Sequence, residues 1–464
     1  MNILILLYFL FFAFLSHLNL KTSILVILFA LPSYLIRFSI LSIPTNLLEL
    51  MVLTVTLFFV LKNYKKIFKN LKDKREEKQA YPFSWEIVII LTMAFVSVFI
   101  SSSLTSALGI FKAYFLEPIL LFIIIVNTFR SDRDIKKIIY TISASALIVS
   151  LFAIWQKITG QFIFNEFWAN EENRRVVSFF GYPNAVALYL GPLIPLSLAL
   201  FIQRTKEKAS FFSFFEQLFL FVCIVSSFLA IYFSKSKGGL IAVSLSILIS
   251  VFILIKKKYK ILILTILIIT SSFLFYAKKD LIDLKLSSSL SYQIRLTQWE
   301  ETMEMLKKEG LIFGVGLASY QERVEAYHQE GIFFNKDADP DFKRKIVIFD
   351  DKYRAQRWQP LEIYLYPHNI FLNFWTEIGI IGAITFIFLI FKLLYMSVRH
   401  IIKNKNNKEK YIFLGLFSSV LVILIHGMFD VPYFKNDLSI IFWLIASLLA
   451  IYQLKDNKKW KKKT

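Results

Sequence analysis

Apolar residues in this chain are grouped in long blocks, and they rarely alternate with polar residues. A helix needs about 20 mostly apolar residues to cross the hydrocarbon core of a bilayer, and about a dozen blocks approach that length. The blocks begin near Asn2, Ser23, Thr45, Ile87, Tyr114, Ile138, Phe179, Phe211, Gly238, Ile261, His368, Tyr411 and Leu438. Because the first two are short and closely spaced, the pattern predicts an all-α polytopic integral membrane protein with about 12 or 13 transmembrane helices.

The composition agrees with this class. Of 464 residues, 56% are hydrophobic and 17% are aromatic, which is typical of polytopic membrane proteins. The single cysteine, Cys223, lies inside an apolar block, so an intrachain disulfide and a thiolate metal site are both excluded. The first block follows no basic segment and precedes no small-residue cleavage site, so we expect it to remain as the first helix.

The formal net charge of +21 lies mainly in short basic tracts between the apolar blocks. These tracts cover residues 62–78, 204–208, 256–260, 399–410 and 455–464. Counting the helices between them places every tract on one side of the membrane, as expected of short cytoplasmic loops. Topology therefore accounts for the charge, and a nucleic-acid partner is not expected.

The longest polar connection falls outside the membrane when the basic tail is placed in the cytoplasm. We predict transmembrane helices with short loops over residues 1–277 and a large, mainly helical external region over residues 278–367. Residues 368–464 are predicted to form the C-terminal transmembrane helices and the basic tail. The external region is the part of the chain expected to cover an active site.

One segment of the external region, residues 288–310, has the spacing of an amphipathic helix. Its predicted apolar face is formed by Leu296, Trp299, Met303 and Leu306. Gly310 is expected to end the helix. Arg295, four residues before Trp299, shares one edge of that face.

Three apolar blocks begin at the predicted external face with unusual polar residues. Asn184 lies in FFGYPNAVALYL, Ser236 in SKSKGGLIAV, and His368 and Asn369 in PHNIFLNF. Helix N-termini carry partial positive charge and free N–H groups, so they bind anions readily. If the three helix starts converge, they form an anion site at the outer membrane surface.

Cations lie beside each of these helix starts. They are Arg174 and Arg175, Lys235 and Lys237, and Arg295 of the amphipathic helix. External positive charge runs against the usual topological bias, which favours a functional role. Two structural alternatives are contacts of Arg174 and Arg175 with lipid headgroups, and a tight turn in SKSKGG that needs glycines for backbone reasons.

His368 suits a role in proton transfer. A helix N-terminus disfavours charged imidazole, so a neutral histidine there can accept a proton from a sugar hydroxyl. Asn369, Asn373 and Glu377 follow at spacings of four and predict a polar stripe that faces the bundle interior. The alternative is a histidine at headgroup level that caps its own helix.

Other polar residues give weaker signals. Glu117 lies within an apolar block, and a further set contains His426, Asp430, Lys435 and Asp437. These groups are expected to satisfy one another. The acidic run Asp337–Asp341 could bind a divalent cation, but no nearby histidine or second carboxylate cluster supports it. A solvated loop is the favoured interpretation, and no metal site is predicted.

Four motifs, in this order, resemble those of the O-antigen ligase and O-antigen polymerase family of bacterial inner-membrane proteins. They are RRVVSFFGYPNAVALYL (174–190), SKSKGGLIA (234–242), RLTQWEETMEMLKKEGLIFGVG (295–316) and HNIFLNFWTEIG (368–379). The last is similar to the ligase pattern of His, ten residues, then Gly. One departure is Lys237, where the family usually has arginine; lysine keeps the charge but lacks the planar fork that grips phosphate.

The resemblance implies a metal-independent glycosyltransferase of lipopolysaccharide or other envelope-polysaccharide biosynthesis, without a nucleotide or other cofactor. Its donor would be an undecaprenyl-diphosphate-linked glycan and its acceptor a lipid or glycan hydroxyl, at the external (periplasmic) face of the cytoplasmic membrane. It implies His368 as the base that deprotonates the acceptor. It assigns the diphosphate to Arg174, Arg175, Lys237 and Arg295. The supporting residues would be Asn184, Ser236, Trp299, Asn369, Asn373 and Glu377.

Three alternatives stay open on the sequence. A polymerase would use the next carrier-linked repeat unit as acceptor, whereas a ligase would use a lipid-anchored core; the His-to-Gly spacing favours the ligase. Transfer to a protein is a third acceptor option. A transporter or flippase for lipid-linked sugar would be expected to show paired repeats with interrupted helices near the midplane, whereas here the unusual residues cluster at one face.

Overall fold

The computed structural model describes residues 3–40, 43–72, 82–207, 210–255, 259–261, 265, 289–348, 351–404 and 407–456. Most of the apolar block predicted to begin near Ile261 lies outside these residues, as do residues 278–288 of the predicted external region.

Helices dominate the described residues. In chain order the α-helices are α1 (Ile3–Leu18), α2 (Leu20–Phe29), α3 (Leu47–Lys72), α4 (Ser84–Ile100), α5 (Leu104–Ile110), α6 (Glu117–Thr128), α7 (Asp132–Thr159), α8 (Glu166–Ala169), α9 (Pro183–Leu190), α10 (Leu193–Thr205), α11 (Phe211–Phe233), α12 (Lys237–Leu254), α13 (Leu290–Met305), α14 (Tyr320–Val324), α15 (Phe342–Val347), α16 (Asp351–Arg357), α17 (Ile370–Lys403), α18 (Lys410–Gly427) and α19 (Asn436–Asp456). Short 3-10 turns occupy Leu31–Leu35 and Glu325–Tyr327, and π-helical turns occupy Phe111–Leu116 and Leu306–Gly310. Two antiparallel hairpins pair β1 (Arg37–Ile40) with β2 (Ile43–Asn46) and β3 (Gly331–Phe333) with β4 (Trp358–Pro360).

The predicted all-α polytopic class is confirmed. Within the described ranges, nine helical segments are long and apolar enough to cross a membrane, and α1, α2 and α4 are apolar but shorter. The apolar stretch of α19 is 94% buried, whereas that of α12 is 28% buried. The bundle is therefore centred on α19, and α12 lies at its periphery among the described helices.

Local sequence signals set the ends of the long helices. At the start of α7, Ser131 and Asp134 form a reciprocal capping box, so two N–H groups that lack helical partners are satisfied. At its end, Gly160 adopts a left-handed φ of 74° and its N–H bonds to the Gln156 carbonyl. These signals close a helix of 28 residues, long enough to cross the hydrocarbon.

The described part of the predicted external region lies at the end of the bundle where α17 begins. Trp299 of α13 donates its indole N–H to the Pro367 carbonyl at 2.9 Å. The Tyr366 hydroxyl donates to the hydroxyl of Tyr182, which immediately precedes α9, at 3.1 Å. We call this end of the bundle the loop end, and every site residue discussed below lies there.

The long helix α17 is interrupted inside the bundle. Ile378 (φ −129°) and Gly379 (φ 76°, ψ 173°) leave the helical conformation. The loop after α13 fills the gap: Val315 N–H bonds to the Thr376 carbonyl at 2.8 Å, and Ile380 N–H bonds to the carbonyl of Ile312 at 3.0 Å. The backbone groups released by the break are thus satisfied by protein, as an apolar environment requires.

Gly379 should tolerate no side chain. A Cβ there would lie 2.4 Å from the Ile312 carbonyl oxygen, at a φ that L-residues rarely adopt. We expect Gly379→Ala to lose about 2–4 kcal/mol of stability and to lower the midpoint of thermal unfolding in detergent. Gly109→Ala is the control, because no heavy atom lies within 4 Å of a Cβ there and alanine favours helix. Equal midpoints for the two variants would contradict the expectation.

Candidate active site

Two of the predicted helix starts converge on the turn between α18 and α19, residues Met428–Lys435, which we call the central turn. From the start of α9, the Asn184 side-chain amide donates to the Asp430 carboxylate at 3.2 Å. Just before α17, the Asn369 amide donates to the Met428 carbonyl at 3.3 Å. The central turn therefore links helix starts that are far apart in sequence.

The start of α12 joins the same cluster through its glycines. A Cβ on Gly239 would lie 2.4 Å from the Ala187 Cβ of α9 and 3.5 Å from the ring of His426, at the end of α18. A Cβ on Gly238 would lie 3.4 Å from the same ring. Close packing thus requires glycine at 239, whereas a Cβ at 238 would make ordinary contact with the histidine ring. The left-handed residue of this turn is Lys235, with a φ of 54°.

His368 sits one residue before the helix cap. The helix α17 begins at Ile370, and the Asn369 side chain accepts hydrogen bonds from the Phe371 and Leu372 N–H groups at 3.0 and 3.1 Å. Asn369, rather than His368, therefore caps the helix. His368 has a φ of 45°, an uncommon conformation that histidine tolerates better than most residues and that clusters at functional sites.

The imidazole of His368 is enclosed by polar and aromatic groups. Its Nδ1 lies 3.0 Å from the Gln298 side-chain oxygen, and the rings of Tyr364 and Tyr366 lie 5.0 and 5.1 Å from its centroid. Burial lowers the pKa of His368 below its ordinary value; the charge of Asp430 raises it and that of Arg295 lowers it. The ring is therefore neutral at neutral pH and able to accept a proton.

The predicted amphipathic helix is present as α13, but most of its buried residues are polar and lie outside the predicted apolar face. The buried residues are Thr297, Gln298, Glu301, Thr302 and Met305. Of the predicted apolar face, Leu306 is buried, whereas Leu296, Trp299 and Met303 are only partly buried. The polar residues are buried because they have partners: Thr302 bonds to the Tyr320 hydroxyl at 2.9 Å, and Glu301 accepts the Gln329 N–H at 2.9 Å.

Arg295 lies on the face of α13 that approaches the central turn. Its Nε donates to the Phe429 carbonyl at 2.9 Å, and its Nη1 donates to the Ser291 carbonyl at 2.9 Å. These bonds fix the plane of the guanidinium. Because Arg295 influences the pKa of both His368 and the neighbouring Tyr366, its charge lies close to the predicted base.

The two adjacent arginines differ in position. Arg175 donates from Nε to the Ser234 carbonyl at 3.0 Å and from Nη2 to the Asn184 oxygen at 3.4 Å, so it faces the cluster. Arg174 donates instead to the carbonyls of Lys157 (2.9 Å) and Ala169 (3.3 Å). Arg174 therefore closes the loop between α7 and α9, and the structure does not bring it to the other cations.

Lys237 and Ser236 lie at the start of α12. Lys237 is exposed and makes no hydrogen bond or ion pair within the described part of the chain, so its ammonium is available to a ligand. Ser236 is buried and precedes the helix without capping it through its side chain. Lys235 donates to the Asn173 side chain at 3.3 Å and so holds the turn against the preceding loop.

Asn373 and Glu377 follow His368 into the bundle interior, where they are 1% and 5% exposed. Glu377 accepts the Ala318 N–H at 3.0 Å, so it joins the broken helix to the loop that fills it. The side-chain oxygen of Asn373 has no hydrogen-bond partner among the residues described. Through Glu377, this polar stripe supports the loop that fills the break in α17.

Sequence reasoning gave little weight to two residues that the structure places beside His368. Asp430 is 1% exposed and connects through Asn184 to Arg175. Gln298, on α13, had no sequence signal, because only the folded chain brings it against the histidine. Asp430 had a weak signal as an acidic residue in the short connection between two apolar blocks.

Among the remaining polar predictions, Lys435 ends the central turn, and the others lie elsewhere or lack the expected partners. Lys435 lies 4.1 Å from the centroid of the Tyr182 ring. One side-chain atom in each of Glu117, His426 and Asp437 is buried without a hydrogen bond in the described ranges, so these three atoms are not satisfied by hydrogen bonds to one another. In the acidic run, Asp339 accepts from Lys345 and Tyr353 at 2.7 Å, and no group of metal ligands is found in the described segments.

Comparison with known protein families gives one match over part of the chain. Residues 221–387 match the family described as O-antigen ligase. The match contains the turn before α12, the helix α13 with Arg295 and Gln298, His368 and the break at Gly379. No curated protein matches the chain. This match over part of the chain supports the assignment to the O-antigen ligase and polymerase family that its motifs suggest.

Proposed function

We propose that this protein transfers a glycan from an undecaprenyl diphosphate carrier to an acceptor hydroxyl at the loop end of the bundle. The observation that carries the proposal is the position of His368: a neutral imidazole beside Arg295, at the point where the starts of α9, α12 and α17 meet. Neither a metal nor a nucleotide is needed for this chemistry.

The reaction is a direct displacement. His368 takes the proton of the acceptor hydroxyl as its oxygen forms a bond to the anomeric carbon, and the bond from that carbon to the diphosphate oxygen breaks. The carrier diphosphate leaves with the electron pair and one more negative charge. Attack opposite the leaving group inverts the anomeric configuration. Each step needs only a base and fixed positive charge.

Arg175, Arg295 and Lys237 are suited to hold the diphosphate. Both arginines use Nε to bond a backbone carbonyl, so their guanidinium groups are oriented before the substrate binds, and little reorganisation is needed as charge develops. Lys237 adds an ammonium without a partner in the described chain. The uncapped start of α12 adds N–H groups and a favourable dipole.

The distribution of charge supports placing the loop end on the external side of the cytoplasmic membrane. Helices that begin at the loop end finish in basic residues at the opposite end, such as Arg204 of α10 and Lys403 of α17. Short basic connections remain in the cytoplasm. The carrier diphosphate would then bind at the periplasmic or outer surface.

A transporter of lipid-linked sugar is the main rival, and the break in α17 is a feature expected of one. However, the backbone of Ile312 and Val315 fills this break, so it lines no substrate pathway. The polar residues of the candidate site also gather at one end of the bundle. These observations favour chemistry over transport.

The test uses purified full-length protein in detergent with a fluorescent undecaprenyl-diphosphate oligosaccharide and a panel of acceptors. We expect free carrier diphosphate to appear only with a suitable acceptor. A lipid-anchored core as that acceptor indicates a ligase, and a second carrier-linked repeat unit indicates a polymerase. Carrier that binds but is never cleaved with any acceptor would contradict the proposal.

Arg174 and Arg175 provide a matched pair of variants, because they are adjacent in sequence but differ in position. We expect Arg175→Ala to lower turnover about a hundredfold, since it removes a fixed donor to the leaving group. Arg174→Ala should lower turnover by less than about fivefold and mainly loosen the loop between α7 and α9. Turnover and thermal unfolding are measured on both. A larger loss of turnover in Arg174→Ala would reverse the assignment.

A further inference from the structure

We infer that Gln298 is a positioning residue that selects which nitrogen of His368 accepts the proton, an inference that rests on the proposed function. The side chain of Gln298 holds the Nδ1–H form of the imidazole, so that Nε2 presents its lone pair to the acceptor hydroxyl. Gln298 does not touch the substrate itself; it acts through His368.

The orientation of the Gln298 amide follows from its two neighbours. Its Nε2 donates to the Tyr366 carbonyl at 3.3 Å, which points its Oε1 at His368 Nδ1, 3.0 Å away. Turning the amide over would place two oxygens, both acceptors, against each other at Tyr366. The carbonyl of Tyr366 therefore fixes the direction of the amide.

The direction of the amide then fixes the tautomer. An amide oxygen only accepts hydrogen bonds, so Nδ1 of a neutral His368 must carry the hydrogen. In a neutral imidazole the other nitrogen is then the acceptor. No hydrogen bond from Nε2 to a described residue is present, so this nitrogen is available for an acceptor hydroxyl.

The support for Gln298 is rigid. The residue is 5% exposed and lies in the interior of α13, next to Trp299, which bonds to the Pro367 carbonyl. Arg295 is one turn earlier on the same helix, about 4.5 Å along its axis. The helix α13 thus holds the predicted base, His368, through Gln298 and also carries Arg295, a predicted diphosphate ligand. The separation between base and cation is therefore fixed.

Two elements supply the charges that shift the pKa of His368: Arg295 of α13 and Asp430 of the central turn. The rings of Tyr364 and Tyr366 face the imidazole at 5.0 and 5.1 Å. Apart from Gln298, no described residue forms a hydrogen bond to an imidazole nitrogen of His368. Replacement of Gln298 should therefore allow His368 to adopt both neutral tautomers, while the surrounding charges stay the same.

The first test reads the tautomer directly, without any transfer reaction. Full-length protein labelled with ¹⁵N-histidine is studied by solid-state NMR in lipid, and the His368→Asn variant assigns the signals. We expect protonated Nδ1 and unprotonated Nε2 in the wild type, and a mixture of both tautomers in Gln298→Leu. Unprotonated Nδ1 in the wild type, or an unchanged tautomer in Gln298→Leu, overturns the inference even if the protein is a transferase.

The second test measures turnover. Gln298→Leu should lower kcat about ten- to a hundredfold with little change in KM for the donor, because binding is left in place. Gln298→Glu should recover part of kcat and shift the acidic limb of its pH profile upward by about one unit, because a carboxylate favours charged imidazole. The control is Gln321→Leu, since Gln321 donates to the Ile363 carbonyl of the same segment but does not contact His368.

Wild-type kcat in Gln298→Leu, or equal losses in Gln298→Leu and Gln321→Leu, overturns the positioning role. Wild-type protein with the expected tautomer but no transfer to any acceptor would instead overturn the proposed function. The NMR and turnover results therefore separate the two ideas.

Discussion

The His368→Asn variant is expected to lose glycan transfer about a thousandfold, within the range that general bases contribute, while still binding the carrier-linked donor. Asparagine suits this test because it tolerates the left-handed backbone at this position, where φ is 45°. Its amide cannot accept a proton at neutral pH, and Arg175, Arg295 and Lys237 remain to bind the diphosphate. Turnover and donor affinity are measured separately.

The pH profile supplies a second measurement of the same role. His368 must be neutral to act as a base, and burial lowers its pKa below the ordinary value near 6.5. Activity should therefore persist through neutral pH and fall only as the pH drops below that value. The residual activity of His368→Asn should lack this limb. If the acidic limb of the pH profile is unchanged in His368→Asn, that limb reports the titration of another group.

The control for His368→Asn is His328→Asn. His328 belongs to the described part of the predicted external region, where it contacts Glu301 at 3.5 Å and the Leu361 carbonyl at 3.4 Å. We expect turnover in this variant to stay within about twofold of wild type. A thousandfold loss in both variants would point to general damage of the region rather than to lost proton transfer.

The second large effect is expected for Arg295→Ala, which should lower turnover about a hundred- to a thousandfold. The guanidinium is fixed by the carbonyls of Phe429 and Ser291, and fixed donors to a leaving group act mainly in the transition state. kcat should therefore fall more than donor affinity. The measurement is initial rate against donor concentration with a saturating acceptor.

Two further variants sharpen this result. Arg295→Lys keeps the charge but loses the planar fork, so it should recover only part of kcat. Arg323→Ala is the control, because Arg323 is exposed in the same region and pairs with Glu309 at 3.7 Å. Full activity of Arg295→Ala would remove this residue from the proposed mechanism and leave Arg175 and Lys237 as the diphosphate ligands.

Much of the fold could be predicted because the bilayer restricts it. The spacing of apolar blocks gave most helices within a few residues, and α11 begins at Phe211 as predicted. Broken helices were harder. Apolar sequence continues through Gly379, so this interruption does not change the hydrophobic pattern.

The site was predicted only in part, for a physical reason. Periodicity reports which residues prefer to leave water, so it could not find the buried polar residues of α13. There Gln298, Glu301 and Thr302 are buried against polar partners supplied by other segments. Likewise, the sequence treats Arg174 and Arg175 alike. Their different roles arise from which carbonyls the folded loop offers to each guanidinium.

The break at Gly379 gives the first part of α17 a defined length. Between His368 and Gly379 the chain forms one capped helical segment, which begins at Ile370 and ends before Ile378. Each residue adds about 1.5 Å of rise and 100° of rotation. One inserted residue would turn Gly379 away from the loop that docks on it, through Ile312 and Val315. The number of residues between the histidine and the glycine therefore sets the distance along the helix between His368 and the point where that loop is anchored.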